Sequence, residues 1–403
     1  MLSFDEARRT LLARAFVVSS ERVTLADAAG RVLARDVVAR HPLPGFDHSA
    51  MDGYAVACGD FEAGPAGGPW LVPVSGESAA GRGLDALAPA TACRIFTGAP
   101  LPSNADAVIM QENVRREGDA IAIDARPHPG QNVRRAGEDV ARGAIALASG
   151  ERLSAGAMAL AAMLDRSEVV VARRPRVTVL CTGDELRAPG DDPRPGSLPE
   201  SNSAPVAALA RQAGALVRIA PIAGDHLRAT QRAIEEALDA TDVLLTIGGV
   251  SVGDHDVVRP ALESAGVTLD FWKVAIKPGK PLAVGSRGKA IVIGLPGNPA
   301  SAIVTFAVFG APLLRALQGD RRPLPMALPV RLEATRKRSP DRLELVRARL
   351  RVEGSALVAR AHDNQSSGAT TSLASSDGLA FVPAGDGPLA ADATVDFVRW
   401  SDV

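Results

Sequence analysis

Cysteine is the first shortage of this 403-residue sequence, which contains only Cys58, Cys93 and Cys181. The number is odd, the spacings are wide and no two of them form a CxxC pair. The sequence therefore indicates neither a disulfide framework nor a cysteine-based zinc site. We expect a protein of a reducing compartment, the cytoplasm.

Long apolar runs and unbalanced charge are also missing. The longest apolar run, Ile303 to Leu314, contains Gly310 and Pro312 and falls short of the roughly 20 residues that a membrane span needs. Residues 1–16 carry a charge every few positions, unlike a signal peptide. The 45 basic and 46 acidic residues are spread along the chain without the basic stripe that nucleic-acid backbones require. These absences predict a soluble protein that binds neither nucleic acid nor a membrane.

Three common catalytic motifs are absent, and one basic residue is rare. The sequence has no GxSxG elbow, no Walker GxxxxGK[ST] and no HExxH, which argues against serine hydrolase, P-loop and zinc protease chemistry. Only five of the 45 basic residues are lysine, yet Lys273, Lys277 and Lys280 fall within "WKVAIKPGKP" at 272–281. Lysine is a compact point charge that suits a small oxyanion or a phosphate, so the run suggests an anion site. A rigid turn fixed by its prolines is the structural alternative.

The pattern of apolar residues divides the chain into regions. The start predicts an amphipathic helix over 3–16 with a capping box of Ser3 and Glu6. From about 45 to 143, short β-type runs separated by Gly, Pro and Asn indicate an all-β insertion. Strands and helices then alternate from about residue 175, which predicts a parallel α/β sheet with helices on both faces. The last region becomes β-like again and predicts a small C-terminal β domain.

Ligands of open α/β sheets bind at the carboxyl ends of the strands, and three loops that follow predicted strands are unusual there. In "TIGGVSVGDHD" at 246–256, Gly248 and Gly249 allow the backbone to approach a ligand. In "GLPGNPAS" at 294–301, Asn298 and Pro299 begin a helix whose N–H groups suit a phosphate. Glycine turns and simple helix capping are the alternatives.

The third loop, "CTGDELRAPG" at 181–190, places Thr182, Asp184 and Glu185 at the same edge of the sheet. Taken alone, these acids are explained equally well as charges of a solvated loop and as ligand-binding groups. Because two loops at the same edge suit anions, the pattern favours a magnesium ion that bridges a carboxylate to a phosphate.

The β insertion contributes a second group of polar residues. The string "PGFDHSAMDGYAV" at 44–56 is dense in polar side chains, Asp52 among them. Thr97 lies in "FTGAPLP", and Arg134 with Arg135 lies in "QNVRRAGEDV". A turn and a surface ion-pair cluster are the ordinary readings, although a guanidinium also suits an oxyanion.

Together these strings resemble the molybdopterin molybdenumtransferase family, the MoeA type, which is related to the E domain of gephyrin. Nine motifs occur in the family's order: "PGFDHSAMDGYAV", "FTGAPLP", "AVIMQE", "RRAGEDV", "TGDEL", "SN" at 201–202, "GGVSVGDHD", "FWKVAIKPGKP" and "GLPGNPASA". The resemblance is loose over 362–383, and no site residue is carried over from that stretch.

The resemblance implies a multi-domain α/β plus β protein that forms an elongated homodimer. It implies a central α/β molybdopterin-binding domain similar to MoaB and MogA, and the domains would be these: a helical and extended dimerisation domain at 1–45 and 143–174, an inserted β-rich domain at 46–142, the α/β domain at 175–322 and a C-terminal β-barrel at 323–403. The active site would lie between the α/β domain of one subunit and the insertion of the other.

The resemblance also implies a reaction and its participants. Molybdate and adenylylated molybdopterin enter, Mg²⁺ assists, and molybdenum cofactor and AMP leave. Other cofactor-biosynthesis proteins and the recipient molybdoenzymes are implied as further partners. A molybdopterin adenylyltransferase, which shares the GG and PGNP loops, and a non-catalytic scaffold similar to gephyrin are the alternatives.

Site roles follow from the matching positions. Magnesium binding or action on the phosphoanhydride falls to Glu185, Asp225 and Asp256. Lys273 and Lys277 would bind molybdate or stabilise charge as AMP departs, and Asp52 with Thr97 would reach across from the partner subunit. Substrate contacts are expected from the remaining matched residues: Arg135, Thr182, Gly183, Asp184, Asn202, Gly248, Gly249, Ser251, Gly297, Asn298 and Pro299.

Overall fold

A computed structural model describes residues 1–62, 68–83, 85–249 and 257–403. The first helix, α1, spans Phe4–Leu12, and Ser3 and Glu6 form the predicted capping box. The helix ends at Leu12, earlier than predicted. Its apolar face packs against the α/β core, because Phe4, Ala7 and Leu11 belong to the same buried cluster as the central sheet.

An extended layer is built from two distant parts of the chain. Its elements, with those of the insertion between them, are β1 (Ser20–Thr24), β2 (Val37–Val38), β3 (His48–Ser49), β4 (Gly53–Val56), β5 (Trp70–Ser78), β6 (Ala92–Ile95), β7 (Ala107–Met110), β8 (Val114–Glu117), β9 (Ala120–Ile123), β10 (Val133–Arg134), β11 (Ile145–Leu147), α2 (Ala155–Met163) and β12 (Glu168–Ala172). Strand β1 pairs with β12 and β2 with β11. The strands before and after the insertion therefore pair with each other, and their apolar side chains share one buried cluster.

The insertion itself is β-rich, as the short runs predict. Strands β7, β4, β6, β5, β9 and β8 form a six-stranded sheet in that order, and β10 pairs with β3. The second pairing aligns His48 with Arg134, which brings the polar string at 44–56 beside the paired arginines.

The α/β region contains the largest sheet-and-helix unit. Its elements are β13 (Arg176–Cys181), β14 (Leu186–Arg187), β15 (Leu198–Pro199), α3 (Ser203–Gln212), β16 (Leu216–Ile219), α4 (Leu227–Asp239), β17 (Val243–Ile247), α5 (Val258–Ser264), β18 (Thr268–Lys273), β19 (Ile276–Lys277), β20 (Pro281–Arg287), β21 (Ala290–Leu295), α6 (Pro299–Thr305) and α7 (Ala311–Leu317). The sheet order is β16-β13-β17-β21-β20-β18.

That sheet is mixed, which corrects the prediction of a parallel sheet. Strands β16, β13, β17 and β21 are parallel, whereas β20 pairs antiparallel with both β21 and β18. The reason is a hairpin: β20 and β21 are joined by a short turn instead of a crossover helix, and only crossovers keep neighbouring strands parallel.

A π-helical turn at Phe306–Gly310 joins α6 to α7 into one apolar helix, Pro299–Leu317. By length and composition this helix could cross a membrane, but 83% of its most apolar stretch is buried inside the fold. Core helices of soluble proteins share these properties, so the finding is weak evidence for a membrane.

The C-terminal region is a β-barrel. Its elements are β22 (Leu328–Leu332), β23 (Leu343–Glu353), β24 (Ala356–Ala361), α8 (Thr370–Ala374), β25 (Gly378–Val382) and β26 (Thr394–Arg399). The order β23-β24-β22-β26-β25 closes by a pairing of β25 with β23. Strand β19 of the α/β region adds in parallel to β23, aligning Lys277 with Glu344. The barrel is thus joined to the α/β region through the lysine-rich segment.

Candidate functional site

A cleft of about 560 Å³ lies at the carboxyl ends of β13, β17 and β21. It forms where the sequence predicts ligand binding, because the loops after parallel strands meet at one edge of the sheet. Ten of the predicted site residues line it: Thr182, Gly183, Glu185, Asn202, Asp225, Gly248, Gly249, Gly297, Asn298 and Pro299.

The backbone at Gly248, in the cleft lining, leaves no room for a side chain. Gly248 has φ +94°, and a β-carbon there would stand 2.7 Å from the carbonyl oxygen of Thr182. A β-carbon on Gly297 would lie 3.5 Å from the Cα of Gly248, so the GG and PGNP loops are in direct proximity. A group bound in the cleft can therefore approach the backbone of both loops.

Two buried side chains of the cleft have polar atoms without a partner. Thr182 is 4% exposed and Asn202 is 7% exposed, yet Thr182 Oγ1 and Asn202 Oδ1 make no hydrogen bond with any described residue. An unsatisfied buried polar atom costs about 1–3 kcal/mol, so few are kept without a use. Both atoms belong to residues that line the same cleft, and a bound polar ligand would satisfy them.

Asn202 is held in place by the buried carboxylate of Glu200. Glu200 Oε1 accepts hydrogen bonds from the N–H groups of Asn202 and Ser203, and the Ser203 hydroxyl donates to Oε2. Burial raises the pKa of Glu200, but these hydrogen bonds outweigh it and lower the pKa below the usual value. The Asn202 Nδ2 in turn donates to the carbonyl of Gly297 at 2.6 Å, which links this support to the PGNP loop.

The carboxylates of the first loop are arranged as a small network. The N–H of Asp225 donates to Asp184 Oδ1 at 3.0 Å, and the N–H of Asp184 donates to Asp225 Oδ2 at 3.3 Å. The carboxylate of Glu185 lies over Gly183, where a β-carbon would stand 2.7 Å from Oε2. Glu185 and Asp225 line the cleft, whereas Asp184 does not appear among the lining residues.

These carboxylates do not form a complete metal cage. Over 1–62, 68–83, 85–249 and 257–403, no group of three or more His, Cys, Asp or Glu residues is placed to hold a metal ion. The predicted roles of Ser251 and Asp256 lie outside the described residues.

The start of α6 is less open than the sequence predicts. Asn298 occupies the N-cap position, but its side chain makes no capping hydrogen bond. Its Nδ2 donates instead to Ser367 Oγ at 3.0 Å, and the carbonyl of Ser367 accepts from the N–H of Ala300 at 3.0 Å. One of the N–H groups expected to be open to a phosphate is therefore occupied by the barrel, which contacts the rim of the cleft here.

The three lysines of the 272–281 segment have different surroundings. Lys277 Nζ donates to Glu344 Oε1 at 3.2 Å while about half of its side chain remains exposed. Lys273 and Lys280 are exposed. The segment reaches the cleft at Pro281.

The residues predicted in the insertion form pairs of their own. Asp52 Oδ1 accepts from the N–H and the hydroxyl of Thr97, at 2.7 and 2.8 Å, and these bonds lower the pKa of Asp52. Arg135 Nη1 donates to Asp47 Oδ2 at 2.6 Å. None of these four lines the α/β cleft of the same chain in the part that is described. A single chain thus assembles ten of the predicted residues at the cleft, while Asp184, Lys273 and Lys277 of the α/β region and the insertion residues lie outside its lining.

Sequence reasoning missed several residues that support the cleft. Glu344 and Ser367 act through contacts with residues far away in the sequence, so no local motif marks them. Glu200 bonds to its sequence neighbours Asn202 and Ser203, and only its burial, which the sequence does not show, distinguishes it from a solvated acid. Arg347 is fully buried, and its Nη2 donates to the carbonyl of Ser366 at 2.9 Å, next to the residue that contacts α6. Burial, with the nearby Arg336, lowers the pKa of Arg347 to about 10. It has no carboxylate partner within 4.0 Å among the described residues, which makes it an uncompensated buried charge.

Comparison with known proteins covers nearly the whole chain. Residues 2–164 match the model of the MoeA N-terminal region (domain I and II), 178–316 that of a probable molybdopterin binding domain, and 329–400 that of the MoeA C-terminal region (domain IV). The molybdopterin molybdenumtransferase 2 of Mycobacterium tuberculosis is 40% identical, over 79% of this chain and 80% of the relative.

Two further relatives extend the match. The molybdopterin molybdenumtransferase of Synechococcus elongatus is 37% identical, over 98% of this chain and 99% of the relative. A crystal structure of the molybdopterin biosynthesis moeA protein from Pyrococcus horikoshii OT3 superposes with a TM-score of 0.86 at 27% identity, covering 99% of this chain and 100% of that one.

Proposed function

Because the chain belongs to the MoeA family of molybdopterin molybdenumtransferases, we propose that it inserts molybdenum from molybdate into adenylylated molybdopterin and releases AMP. The chain is a transferase of molybdenum cofactor biosynthesis. Beyond this assignment we propose the nucleotide form of the substrate, the metal and the partner subunit.

One observation supports the proposal most directly. Thr182 Oγ1 and Asn202 Oδ1 are buried polar atoms without partners among the described residues, in a cleft whose lining includes the glycines of the GG and PGNP loops. Such a site suits a ligand that brings both hydrogen-bonding groups and a phosphate needing close backbone contact. A molybdopterin phosphate extended by an adenylyl group has both.

Magnesium fits the carboxylates at the cleft only in part. Mg²⁺ is usually held by one or two carboxylates together with substrate phosphates and water. Glu185 and Asp225 supply that number at the cleft, and Asp256 is the further candidate. When bound, Mg²⁺ would neutralise charge that develops on the phosphoanhydride.

The chain's own side chains have distinct proposed tasks. The GG and PGNP loops hold the phosphate groups, while Thr182 and Asn202 orient the ligand by direct hydrogen bonds. Lys273 and Lys277 attract molybdate and stabilise negative charge on the departing AMP. Asp52 with Thr97 completes the site, and Arg135 contacts an oxyanion.

We propose that Asp52 and Thr97 come from the second subunit of a homodimer. In one chain they do not line the cleft, so a partner is needed to bring them to it. An apolar surface supports self-association: Val38 and Ile145 are exposed cross-strand partners, and the exposed Phe46 and Met163 line one groove. Three buried, unpaired cysteines agree with a cytoplasmic location.

The test supplies purified protein with adenylylated molybdopterin, Mg²⁺ and molybdate, and follows AMP and molybdenum cofactor. We expect AMP release that depends on molybdate. AMP release of equal rate without molybdate would contradict molybdenum insertion. Consumption of ATP and unmodified molybdopterin would indicate the adenylyltransferase, and no turnover with either substrate would indicate a scaffold.

A further inference from the structure

Glu344 is a buried carboxylate at the junction of the barrel and the α/β region. It is 4% exposed and lies on β23, aligned with Lys277 of β19. Its Oε1 accepts from Lys277 Nζ at 3.2 Å and from Ser339 Oγ at 2.9 Å, while Arg336 Nη2 lies 3.5 Å from Oε2. Burial raises the pKa of Glu344, but the hydroxyl and the two cations outweigh it and lower the pKa.

The carboxylate of Glu344 has two partners besides Lys277. Ser339 and Arg336, both from the barrel, hold its two oxygens. Lys277 is the exposed member of the group, so its remaining donors stay available to a ligand. One acid faces two cations, which leaves the group with a net positive charge beside a segment that reaches the cleft at Pro281.

We propose that Glu344 is a positioning residue that fixes the ammonium group of Lys277 for an oxyanion substrate of the cleft. A free lysine side chain has many rotamers, and holding its end at one place reduces the entropy lost when the anion binds. The inference rests on the proposed function, because it assigns a support to Lys277 within that same site.

A purely structural role in docking the barrel would be a different explanation. The barrel has other attachments to the α/β region and to the helix packed on it: Ser367 contacts Asn298 and Ala300, and Phe381 packs edge-on against Phe4 of α1 with ring centroids 5.9 Å apart. Docking therefore does not depend on Glu344 alone. The two explanations differ in whether the effect of Glu344 passes through Lys277.

A double-mutant cycle separates them. Glu344→Gln, Lys277→Met and the double variant are compared for the KM of molybdate, for kcat of AMP release, and for molybdate binding by calorimetry. We expect Glu344→Gln to raise the molybdate KM and Kd about tenfold, with a smaller fall in kcat because Lys277 also stabilises charge on the departing AMP. In the Lys277→Met background the same change should have no further effect.

Equal effects of Glu344→Gln in both backgrounds, or an unchanged molybdate KM and Kd, would overturn the inference. Should Glu344→Gln fail to fold, Ser339→Ala removes one hydrogen bond from the oxygen that Lys277 contacts and should raise the KM in the same direction by about threefold. No effect of Ser339→Ala in a folded protein would also contradict it. A wild-type protein without molybdate-dependent AMP release contradicts the proposed function, whereas calorimetry with molybdate alone still tests Glu344.

Discussion

The α/β cleft and the polar loops of the insertion satisfy their hydrogen bonds in opposite ways. In the cleft, Thr182 and Asn202 keep buried polar atoms without partners. In the insertion, Asp52 and Thr97 satisfy each other at the surface, and their geometry is set before any ligand arrives. The difference indicates that the cleft residues have hydrogen-bonding capacity left for a ligand, whereas Asp52 and Thr97 of the insertion already form a hydrogen-bonded pair.

The largest effect is expected from removing the carboxylate of Asp52, which forms a hydrogen-bonded pair with Thr97. Asp52→Ala should reduce AMP release roughly a thousandfold, a loss typical of groups that take part in the chemical step. Among the described residues its carboxylate bonds only to Thr97, whose donors can turn to water, so the fold should persist. Turnover assays with circular dichroism and sedimentation measure activity, folding and dimer formation together.

Asp60→Ala is the matched control for Asp52→Ala. Asp60 lies in the same insertion and also accepts a backbone hydrogen bond, from Ala90 at 3.0 Å, but it is not among the site residues. Its variant should keep normal turnover. Near-normal activity of Asp52→Ala in a folded dimer would end the proposed role of this loop.

The second effect concerns the buried support of the cleft. Glu200→Gln should lower the free energy of unfolding by about 2 kcal/mol at neutral pH, because hydrogen bonds to a charged group contribute about 1.5–3 kcal/mol. Since the pKa of Glu200 is lowered in the folded state, its stabilisation is complete above the unfolded value of about 4.3 and is lost as pH falls through the folded pKa.

Urea unfolding from pH 8 to pH 3 measures this contribution. The difference between wild type and Glu200→Gln should stay constant down to about pH 5 and shrink below it. Glu236→Gln, an exposed change on α4, serves as the control and should show little difference at any pH. A Glu200 difference that grows toward acid would contradict the direction of the pKa shift.

The third effect tests the unpartnered atoms themselves. Thr182→Val replaces a buried hydroxyl without a partner by a methyl group of similar size, so the empty protein should become more stable by about 1 kcal/mol. Binding of the nucleotide substrate should weaken about tenfold, because the ligand loses its hydrogen bond. Melting with and without ligand measures both changes.

Thr246→Val gives a matched control on the neighbouring strand. Thr246 Oγ1 is also buried without a partner, but the residue does not line the cleft. Its variant should be stabilised in the same way and bind the ligand normally. If Thr182→Val and Thr246→Val behave alike in binding, the hydroxyl of Thr182 does not contact the ligand.

The sequence predicts the residues that line the cleft better than the residues that hold them in place. Gly248, Gly297 and Asn202 meet because strand order places consecutive βα loops at one edge, a rule that needs no side-chain detail. By contrast, Glu344 owes its role to burial and to a partner, Lys277, that only the folded chain brings near. The partners of Glu200 are sequence neighbours, but its burial is a property of the folded chain. The hairpin of β20 and β21 was missed for a related reason, since apolar strands look the same in either direction.

The smallest effect is expected at the exposed arginine of the insertion. The ion pair of Arg135 with Asp47 is partly exposed, so Arg135→Gln should change the free energy of unfolding by less than about 1 kcal/mol. Asp47 keeps the N–H of Ala136 as a donor at 2.8 Å. If Arg135 contacts an oxyanion from the partner's side, the KM should rise about threefold without a change in kcat.

Arg134→Gln breaks a similarly exposed pair, with Glu138, and controls for lost surface charge. Equal rises in KM for both variants would assign the effect to general electrostatic attraction. A rise confined to Arg135→Gln would place Arg135 with Asp52 and Thr97 among the insertion residues of the proposed site.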